Sequence, residues 1–303
     1  MAVVGAPSGA KAVVVDEEFA AEAAPAGNPG PSHSNLRRSG TLIVPTSSVS
    51  RHRALFRNFL RRELSVRYLG SYTGLAWALL HPLALLAVYY FVFTMVFRAG
   101  GYQGKSFLLF VAVALWPWLA AQEALQRATV SLASYAGLIR KVAFPHEIVI
   151  YASVSATLLL QFAGYLIVLV ALAAFGEPVR FAGLLIAVPL WLVMALAVTG
   201  LALALASLQV YIRDIEHILM PTLMILMYLT PILYPIALVP DELRPWVVAN
   251  PFAWLVDRMR DALLEGRIAF AWGDLAALAV AAAIFVVGRW VFRRLSPQFE
   301  DLI

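Results

Sequence analysis

The sequence predicts an all-α polytopic membrane protein with six transmembrane helices, an N-terminal amphipathic interface helix and short outer re-entrant helices. Composition is the first observation behind this fold class. Of the 303 residues, 62% are hydrophobic and 14% are charged. A soluble domain usually carries about 25% charged residues, and its helices pair an apolar stripe with a solvated face. The apolar stretches of this chain are too long and too uniform to alternate in that way.

Six stretches are long enough to cross a bilayer, which is the second observation. An apolar layer about 30 Å thick needs about 20 helical residues, because a helix rises about 1.5 Å per residue. In lipid the backbone must satisfy its own hydrogen bonds, so these stretches are predicted to be helices rather than strands. The predicted spans are residues 75–97, 107–125, 148–175, 184–208, 218–238 and 275–292.

The region before the first span divides into a tail and a helix. Residues 1–50 include an Ala-, Gly- and Pro-rich stretch with too little large apolar surface to offset the entropy of ordering, so we expect a disordered tail. Residues 51–70 are basic and amphipathic, which predicts a helix in the membrane interface, with a solvated surface helix as the alternative. Its apolar face contains Leu55, Phe56, Phe59, Leu60, Val66 and Leu69, and Arg53, Arg57 and Arg61 lie opposite. Residues 71–303 form the six-helix domain.

Basic residues near the spans predict the orientation, because cytoplasmic loops carry an excess of Lys and Arg. Six spans place both termini on the same side. The basic segments are the two flanks and the loops after the second and fourth spans, with Arg51, Arg53, Arg57, Arg61, Arg62, Arg67, Arg127, Arg140, Lys141, Arg213, Arg289, Arg293 and Arg294. We therefore expect both termini in the cytoplasm. The net charge of +5 is accounted for by these residues and gives no reason to expect nucleic acid as a partner.

Local signals predict the shape of the chain between the fifth and sixth spans. Three prolines within residues 220–235 favour a broken or re-entrant fifth span. Asn250 suits the N-cap of a short helix, Pro251 its first position and Gly266 the residue after its end. This helix of about 15 residues is too short to span and should lie in the outer leaflet. A shorter helix, limited by Pro245, is expected at 241–248.

The sequence offers little that resembles a catalytic centre. The chain has no cysteine, which excludes disulfides and thiolate metal sites. No HExxH motif, pair of carboxylates or Ser/His/Asp set is found. Glu123 and His81 are ionisable residues inside spans and are therefore functional candidates, but on separate helices they form no relay or metal site. We predict no catalytic residue, no metal site and no cofactor in this chain.

Several segments, in order, resemble those of ABC-2-type polysaccharide export permeases. They are the amphipathic helix followed by RYLGSYTGLAWALLHPLALLAVYYFVF at 67–93, Trp116-Pro117-Trp118, residues 138–145 with Glu147, residues 211–214, residues 229–235, and Asn250-Pro251-Phe252. The resemblance covers about residues 51–303. It implies a transmembrane subunit of an exporter of lipid-linked glycans in the bacterial cytoplasmic (inner) membrane. It also implies a homodimer that joins two copies of a separate ATPase, on which ATP and Mg²⁺ bind.

The resemblance also implies roles for particular residues. The ATPase would contact Leu138, Ile139, Arg140, Lys141, Phe144, Pro145 and Glu147, with Arg213 and Asp214 as a second contact. The N-terminal helix, with Arg53, Arg57 and Arg61, would gate the movement of the lipid-linked glycan into the transporter. The cargo path is predicted from the aromatic residues themselves, because rings can stack against sugars, with simple packing as the alternative. The residues assigned to it are Tyr89, Phe93, Trp116 and Trp118. Tyr89 and Phe93 are four residues apart and share a helix face, whereas Tyr90 is expected to pack against another helix.

Other functions stay open at the level of sequence. An ABC-2 permease for a drug or a lipid would share the fold and would have a closed apolar cavity. A membrane-embedded glycosyl- or acyltransferase would need a polar catalytic cluster, which the sequence does not show.

Overall fold

The computed structural model describes residues 48–68, 74–97, 106–142 and 144–302. The predicted tail therefore lies almost wholly outside the described residues. Within them, the chain forms helices joined by turns and contains no strand. This confirms the all-α prediction.

Eleven α-helices are assigned in the described residues. They are α1 Ser48–Tyr68, α2 Gly74–Tyr90, α3 Phe107–Ser134, α4 Ala136–Ile139, α5 Glu147–Ala174, α6 Leu184–Tyr211, α7 Ile215–Leu229, α8 Arg244–Val248, α9 Pro251–Arg260, α10 Trp272–Leu295 and α11 Phe299–Leu302. Two of them continue as π-helical turns, α2 through Phe91–Val96 and α9 through Asp261–Glu265. The first predicted span is therefore helical from Gly74 to Val96.

Four segments are long and apolar enough to cross a membrane: Phe107–Ser134, Glu147–Ala174, Phe181–Tyr211 and Trp272–Gln298. They correspond to the second, third, fourth and sixth predicted spans. The stretches Leu80–Val96 and Ile215–Leu229 are apolar but shorter. The fold is thus a polytopic membrane bundle in which the fifth predicted span departs from a simple helix.

The fifth predicted span, at 218–238, is not one continuous helix. Helix α7 ends at Leu229, and Thr230 is extended, with φ −92° and ψ 137°. The physical reason is Pro231, which disfavours helical backbone in the residue before it and has no N–H to donate. A turn and the 3₁₀ segment Ile236–Leu238 follow. The break expected from the proline cluster is confirmed.

Helix α9 follows its local sequence signals closely. The Asn250 side chain accepts a hydrogen bond from the Phe252 N–H at 3.0 Å, and Pro251 occupies the first helical position. At the far end Gly266 is left-handed, with φ 73°. The preceding helix is shorter than expected, because α8 begins only at Arg244, one residue before Pro245. The predicted capping of α9 is confirmed at both ends.

Helices α3 and α6 form the centre of the bundle. Every residue of α3 from Leu109 to Ala121 is buried, and the Trp116 Nε1–H donates to the Gln161 carbonyl of α5 at 2.9 Å. Helix α6 meets α10 at a glycine contact, where a Cβ atom on Gly288 would lie 1.9 Å from the Gly200 carbonyl oxygen. Small residues of this kind let membrane helices approach closely. Such close packing is important in lipid, because the hydrophobic effect does not drive helices together there.

The bundle has two ends that differ in construction. At one, called the α1 end, lie α1, the turn between α3 and α5, the turn between α6 and α7, and α11. At the other, called the α9 end, lie α8, α9 and the first turns of α3, α6 and α10. The contacts described below define both ends.

Arg260 joins α9 to the broken end of α7. It is buried, with 5% of its surface exposed, and its guanidinium donates to the carbonyl oxygens of Phe110 (3.1 Å), Pro231 (2.6 Å) and Ile232 (2.6 Å). Its central carbon lies 3.5 Å from the centroid of the Phe110 ring, a cation–π contact. One side chain therefore satisfies two carbonyls of the turn that follows α7 and one carbonyl in the first turn of α3.

We expect Arg260→Met to destabilise the protein by at least about 2 kcal/mol, because it leaves buried carbonyl oxygens without donors. Unfolding of the purified protein by heat or by a denaturing detergent measures the effect. Arg244→Met is the matched control, since Arg244 lies at the same end, is 45% exposed and pairs with the exposed Asp241. Equal stability of the two variants would contradict the role of Arg260.

Candidate functional site

A chain of ring contacts holds the elements of the α1 end together. Phe59 of α1 packs edge-on against Tyr135, with centroids 5.2 Å apart, and stacks on Phe144 at 5.6 Å. Phe144 in turn meets His146 at 5.3 Å, and His146 lies 6.2 Å from Phe299 of α11. These ring contacts therefore connect α1, the turn between α3 and α5, and α11.

Helix α1 rests on the bundle by its apolar face. Phe59 is buried, and Leu55, Phe56 and Leu60 are half-buried, whereas the predicted gate residues Arg53, Arg57 and Arg61 are exposed. The prediction that this helix has one apolar, covered face and one basic, exposed face is therefore confirmed. The side chains of Val66 and Leu69 lie outside the described residues. The gate function of the three arginines stays a prediction.

A hydrogen bond fixes α1 to the end of α3. The Tyr135 hydroxyl donates to Glu63 Oε1 at 2.8 Å, and the Arg62 guanidinium lies 4.8 Å from the centroid of the Tyr135 ring. Burial, together with the neighbouring Glu63 carboxylate, raises the pKa of the Tyr135 phenol above its usual value. The phenol therefore stays a neutral donor at physiological pH.

The segment that the resemblance assigns to the ATPase contact has anchored and exposed residues. Ile139 is buried, and Leu138 and Phe144 are half-buried against the core. Between them Arg140, Lys141 and Val142 are exposed, as is Pro145 after them. The chain thus forms a projecting turn that is fixed by three apolar side chains, Leu138 and Ile139 before it and Phe144 after it. Such a turn can transmit a push to α3 and α5, between which it lies.

Glu147 ties the start of α5 to the end of α10. Its carboxylate accepts from Arg289 Nε at 3.3 Å, from Arg293 Nε at 3.1 Å and from the Tyr151 hydroxyl at 3.0 Å. Glu147 also lies in the first turn of α5, where a negative charge suits the helix dipole. In this structure Glu147 is a bridge between two membrane helices rather than an exposed contact.

The turn between α6 and α7, which carries Arg213 and Asp214, is fixed by one buried amide. The Gln209 side chain donates to the Arg213 carbonyl at 2.9 Å and accepts from the Glu216 N–H at 2.9 Å. Arg213 and Asp214 themselves are exposed. Both predicted contact regions therefore lie exposed at the same end of the bundle. Their binding to an ATPase stays a prediction.

The aromatic residues assigned to the cargo path are mostly covered by other side chains of the same chain. Phe93 stacks on Phe107 with centroids 5.0 Å apart, and Tyr89 is half-buried beside Tyr228. Tyr90, expected to pack against another helix, is instead 37% exposed. The reason is that Phe93 packs on α3 and so determines which side of its helix faces α3. Tyr90 lies on a different side of the same helix. The assignment of Tyr89 and Phe93 to the path stays a prediction.

Trp116 and Trp118 lie deep in the bundle. Trp116 is buried and hydrogen-bonded to α5 as described above, and Trp118 is buried edge-on against Phe252 of α9, with centroids 4.9 Å apart. In this conformation both rings are covered by protein. A cargo would reach them only after neighbouring helices separate, so their part in the path also stays a prediction.

A set of polar residues on α3 was missed by the sequence analysis. Toward the α1 end, α3 has partly exposed polar residues at 122, 123, 126 and 127. Glu123 accepts from Arg127 Nε at 2.7 Å and from Gln161 Nε2 at 2.6 Å. We call Gln122, Glu123, Gln126 and Arg127 the polar stripe. The signal was present as two i, i+4 pairs across the predicted end of the second span at residue 125. The sequence analysis considered Glu123 by itself and used Arg127 only as a basic residue of the following loop.

The fold and these contacts define a multi-pass membrane protein with two exposed turns at one end, each fixed to long helices by buried side chains. In the part of the chain that the structure describes, no group of His, Asp or Glu residues is placed to hold a metal ion.

Comparison with known proteins identifies the family. The chain belongs to the ABC-2 type transporter family, which it matches over residues 54–264. It is similar to the protein called O-antigen export system permease protein RfbA of Myxococcus xanthus, at 29% identity over 257 residues, covering 83% of this chain and 96% of that protein. It is also similar to a protein of the same description from Klebsiella pneumoniae, at 25% identity over 243 residues, covering 80% and 92%.

We expect Tyr135→Phe to loosen α1 by about 1–2 kcal/mol, because it removes the charge-assisted hydrogen bond to Glu63 and keeps the ring contacts. Hydrogen exchange of the α1 amides measures the change. Phe59→Ala should have a larger effect, since it removes a buried ring from the centre of the chain of ring contacts. Arg57→Ala, on the exposed face, is the control. Unchanged exchange in both Tyr135→Phe and Phe59→Ala would show that these contacts do not hold α1.

Proposed function

We propose that this protein is the transmembrane permease subunit of an ATP-driven ABC exporter that moves lipid-linked polysaccharide across the bacterial cytoplasmic membrane. The observation that carries the proposal is the similarity to O-antigen export permeases over at least four fifths of this chain and more than nine tenths of theirs. Membership of the ABC-2 type transporter family supports the same mode of action.

In this proposal ATP and Mg²⁺ bind to a separate ATP-binding subunit, two copies of which join a homodimer of this chain. The proposed contact with the ATP-binding subunit consists of the projecting turn at 138–147 and the Arg213–Asp214 turn. Three features of these turns support it. Both are exposed, both lie at the α1 end, and each is fixed to long helices by buried side chains, Ile139 in one and Gln209 in the other. A push on either turn would therefore move the helices rather than bend a loop.

The α1 end is the cytoplasmic end in this proposal, and both termini lie there. The excess of basic residues near that end supports this orientation. Helix α1 would lie in the cytoplasmic interface with its exposed arginines toward lipid headgroups, as a basic amphipathic helix does. It would gate the movement of the lipid-linked cargo from the membrane into the transporter. The α8 and α9 helices would then lie near the outer surface.

One observation favours a second candidate, a permease for a small apolar molecule or a lipid. An apolar cavity of about 180 Å³ lies between α3, α6, α7, α9 and α10, with Trp118, Met194, Leu223, Phe252 and Ala281 in its lining. This volume suits part of an acyl chain or a small hydrophobic compound but not a glycan polymer.

Deletion of the gene distinguishes the two candidates. For a polysaccharide permease, we expect loss of one surface glycan and accumulation of its lipid-linked form on the cytoplasmic side, with recovery when the gene is supplied on a plasmid. Gel analysis of the extracted glycan and its protection from an external glycosidase measure the outcome. Unchanged surface glycans, together with greater sensitivity to hydrophobic drugs, would favour the second candidate.

We expect the double variant Arg140→Glu, Lys141→Glu to lower export strongly while the protein still inserts in the membrane, because it reverses the charge of the projecting turn. Single exposed charges often contribute less than about 1 kcal/mol, so each single change should have a weaker effect. Co-purification of the ATP-binding subunit and surface glycan are the measurements. Arg244→Glu, at the α9 end, is the control. Wild-type export and assembly in the double variant would exclude this turn as the contact.

A further inference from the structure

The polar stripe lies at a depth where exposed polar groups need an explanation. Helix α3 has 28 residues, which corresponds to a length of about 42 Å, and Gln122 lies about 18 Å from its α1 end. The middle of such a helix is in the hydrocarbon layer. Nevertheless, the Glu123 and Arg127 side chains are 30% and 47% exposed.

Lipid is a poor environment for such a surface. Charged side chains inside a bilayer cost several kcal/mol unless they face protein, a paired group or a water-filled cavity. The pairing of Glu123 with Arg127 and Gln161 offsets part of that cost, but it leaves the exposed remainder of both side chains to be solvated. The neighbouring Gln122 and Gln126 amides are also partly exposed, and among the described residues the partner of both amides is the sulfur of Met220.

The stripe continues into a polar cavity at the α1 end. This cavity, of about 250 Å³, is bordered by Arg127 of the stripe and by residues of α1, α3 and α5, namely Arg62, Glu63, Val130, Ser131, Ser134, Tyr135 and Ser153. Polar surface therefore runs from the place where α1 lies on the bundle to the middle of α3. In the other direction the polar surface ends at Gln122, which also borders the apolar cavity described above. The Trp118 ring, one turn further along α3, is covered by Phe252.

We propose that the polar stripe is one wall of a water-filled groove that binds the hydroxyl groups of a hydrophilic cargo. The inference rests on the proposed function for the identity of that cargo, a glycan. Two amides, a carboxylate and a guanidinium supply both donors and acceptors, which is what sugar hydroxyls require. Glu123 and Arg127 neutralise one another, so the wall presents hydrogen bonds without a net charge.

The absence of cysteine allows a direct test of hydration. Gln122→Cys and Gln126→Cys are treated with a charged, water-soluble thiol reagent in open membrane fragments that expose both surfaces. The matched controls are Leu159→Cys and Val287→Cys, which are exposed apolar positions on α5 and α10 at the same distances from the α1 end. A thiol reacts as its thiolate, which forms in water and not in hydrocarbon.

We expect the stripe cysteines to react at least about tenfold faster than their controls. Reaction as slow as that of Leu159→Cys and Val287→Cys would overturn the groove. Rapid oxidation of Gln122→Cys to a disulfide-linked dimer would overturn it as well, because the stripe would then be a contact between two copies. Neither result depends on export, so the groove can fail while the proposed function stands.

The cargo contact is tested by Gln122→Leu, Gln126→Leu, which keeps α3 apolar enough to fold. We expect glycan export to slow by about threefold or more, because hydrogen bonds to the cargo are lost, while the ATP-binding subunit still co-purifies. Leu159→Met is the control at matched depth. Wild-type export rates would overturn the contact with cargo. A strain in which even the wild-type gene supports no glycan export would instead refute the proposed function.

Discussion

Arg260 meets a constraint on which the rest of the α9 end depends. A membrane helix that stops within the bilayer leaves carbonyl groups that lipid cannot satisfy. Helix α7 stops in this way at Leu229, and the Pro231 and Ile232 carbonyls are satisfied by Arg260 from α9. The Asn250 amide that precedes α9 also donates to Thr230 Oγ1 at 2.9 Å. The broken span and the short helix therefore form one unit, and neither would be stable in lipid without the other.

The two ends of the bundle are held by interactions of different strength. At the α9 end, Arg258 and Arg260 are buried, and Arg258 pairs with Asp274 at 3.1 Å. Removing one partner from such a buried set is strongly destabilising. At the α1 end, the arginines paired with Glu147 are 39% and 62% exposed, and exposed ion pairs contribute little. Movement driven by a partner would therefore be easier at the α1 end, where both projecting turns lie.

The features that could be predicted from the sequence are those that a few neighbouring residues determine. The cap at Asn250, the left-handed Gly266 and the break before Pro231 each depend on a few adjacent residues. The faces of uniformly apolar helices were not predictable, because a helix without polar positions gives no periodic signal. The expectation that Tyr90 packs against another helix therefore had no periodic signal behind it, and Tyr90 is exposed. The partners of Arg260 were equally hidden, since they are carbonyl groups far away in the chain.

Helix α3 changes character at Gln122, and this change links the fold to transport. Its α9 half is buried on all sides and consists of apolar residues, so it serves as the centre of the bundle. Its α1 half keeps one face buried and has amides and a charge pair on the other. A membrane helix retains such groups where they contact water or cargo. The Trp118 ring, one helical turn beyond Gln122, is covered by Phe252. If the stripe is a wall of the proposed groove, this ring closes the groove at its inner end in the present conformation.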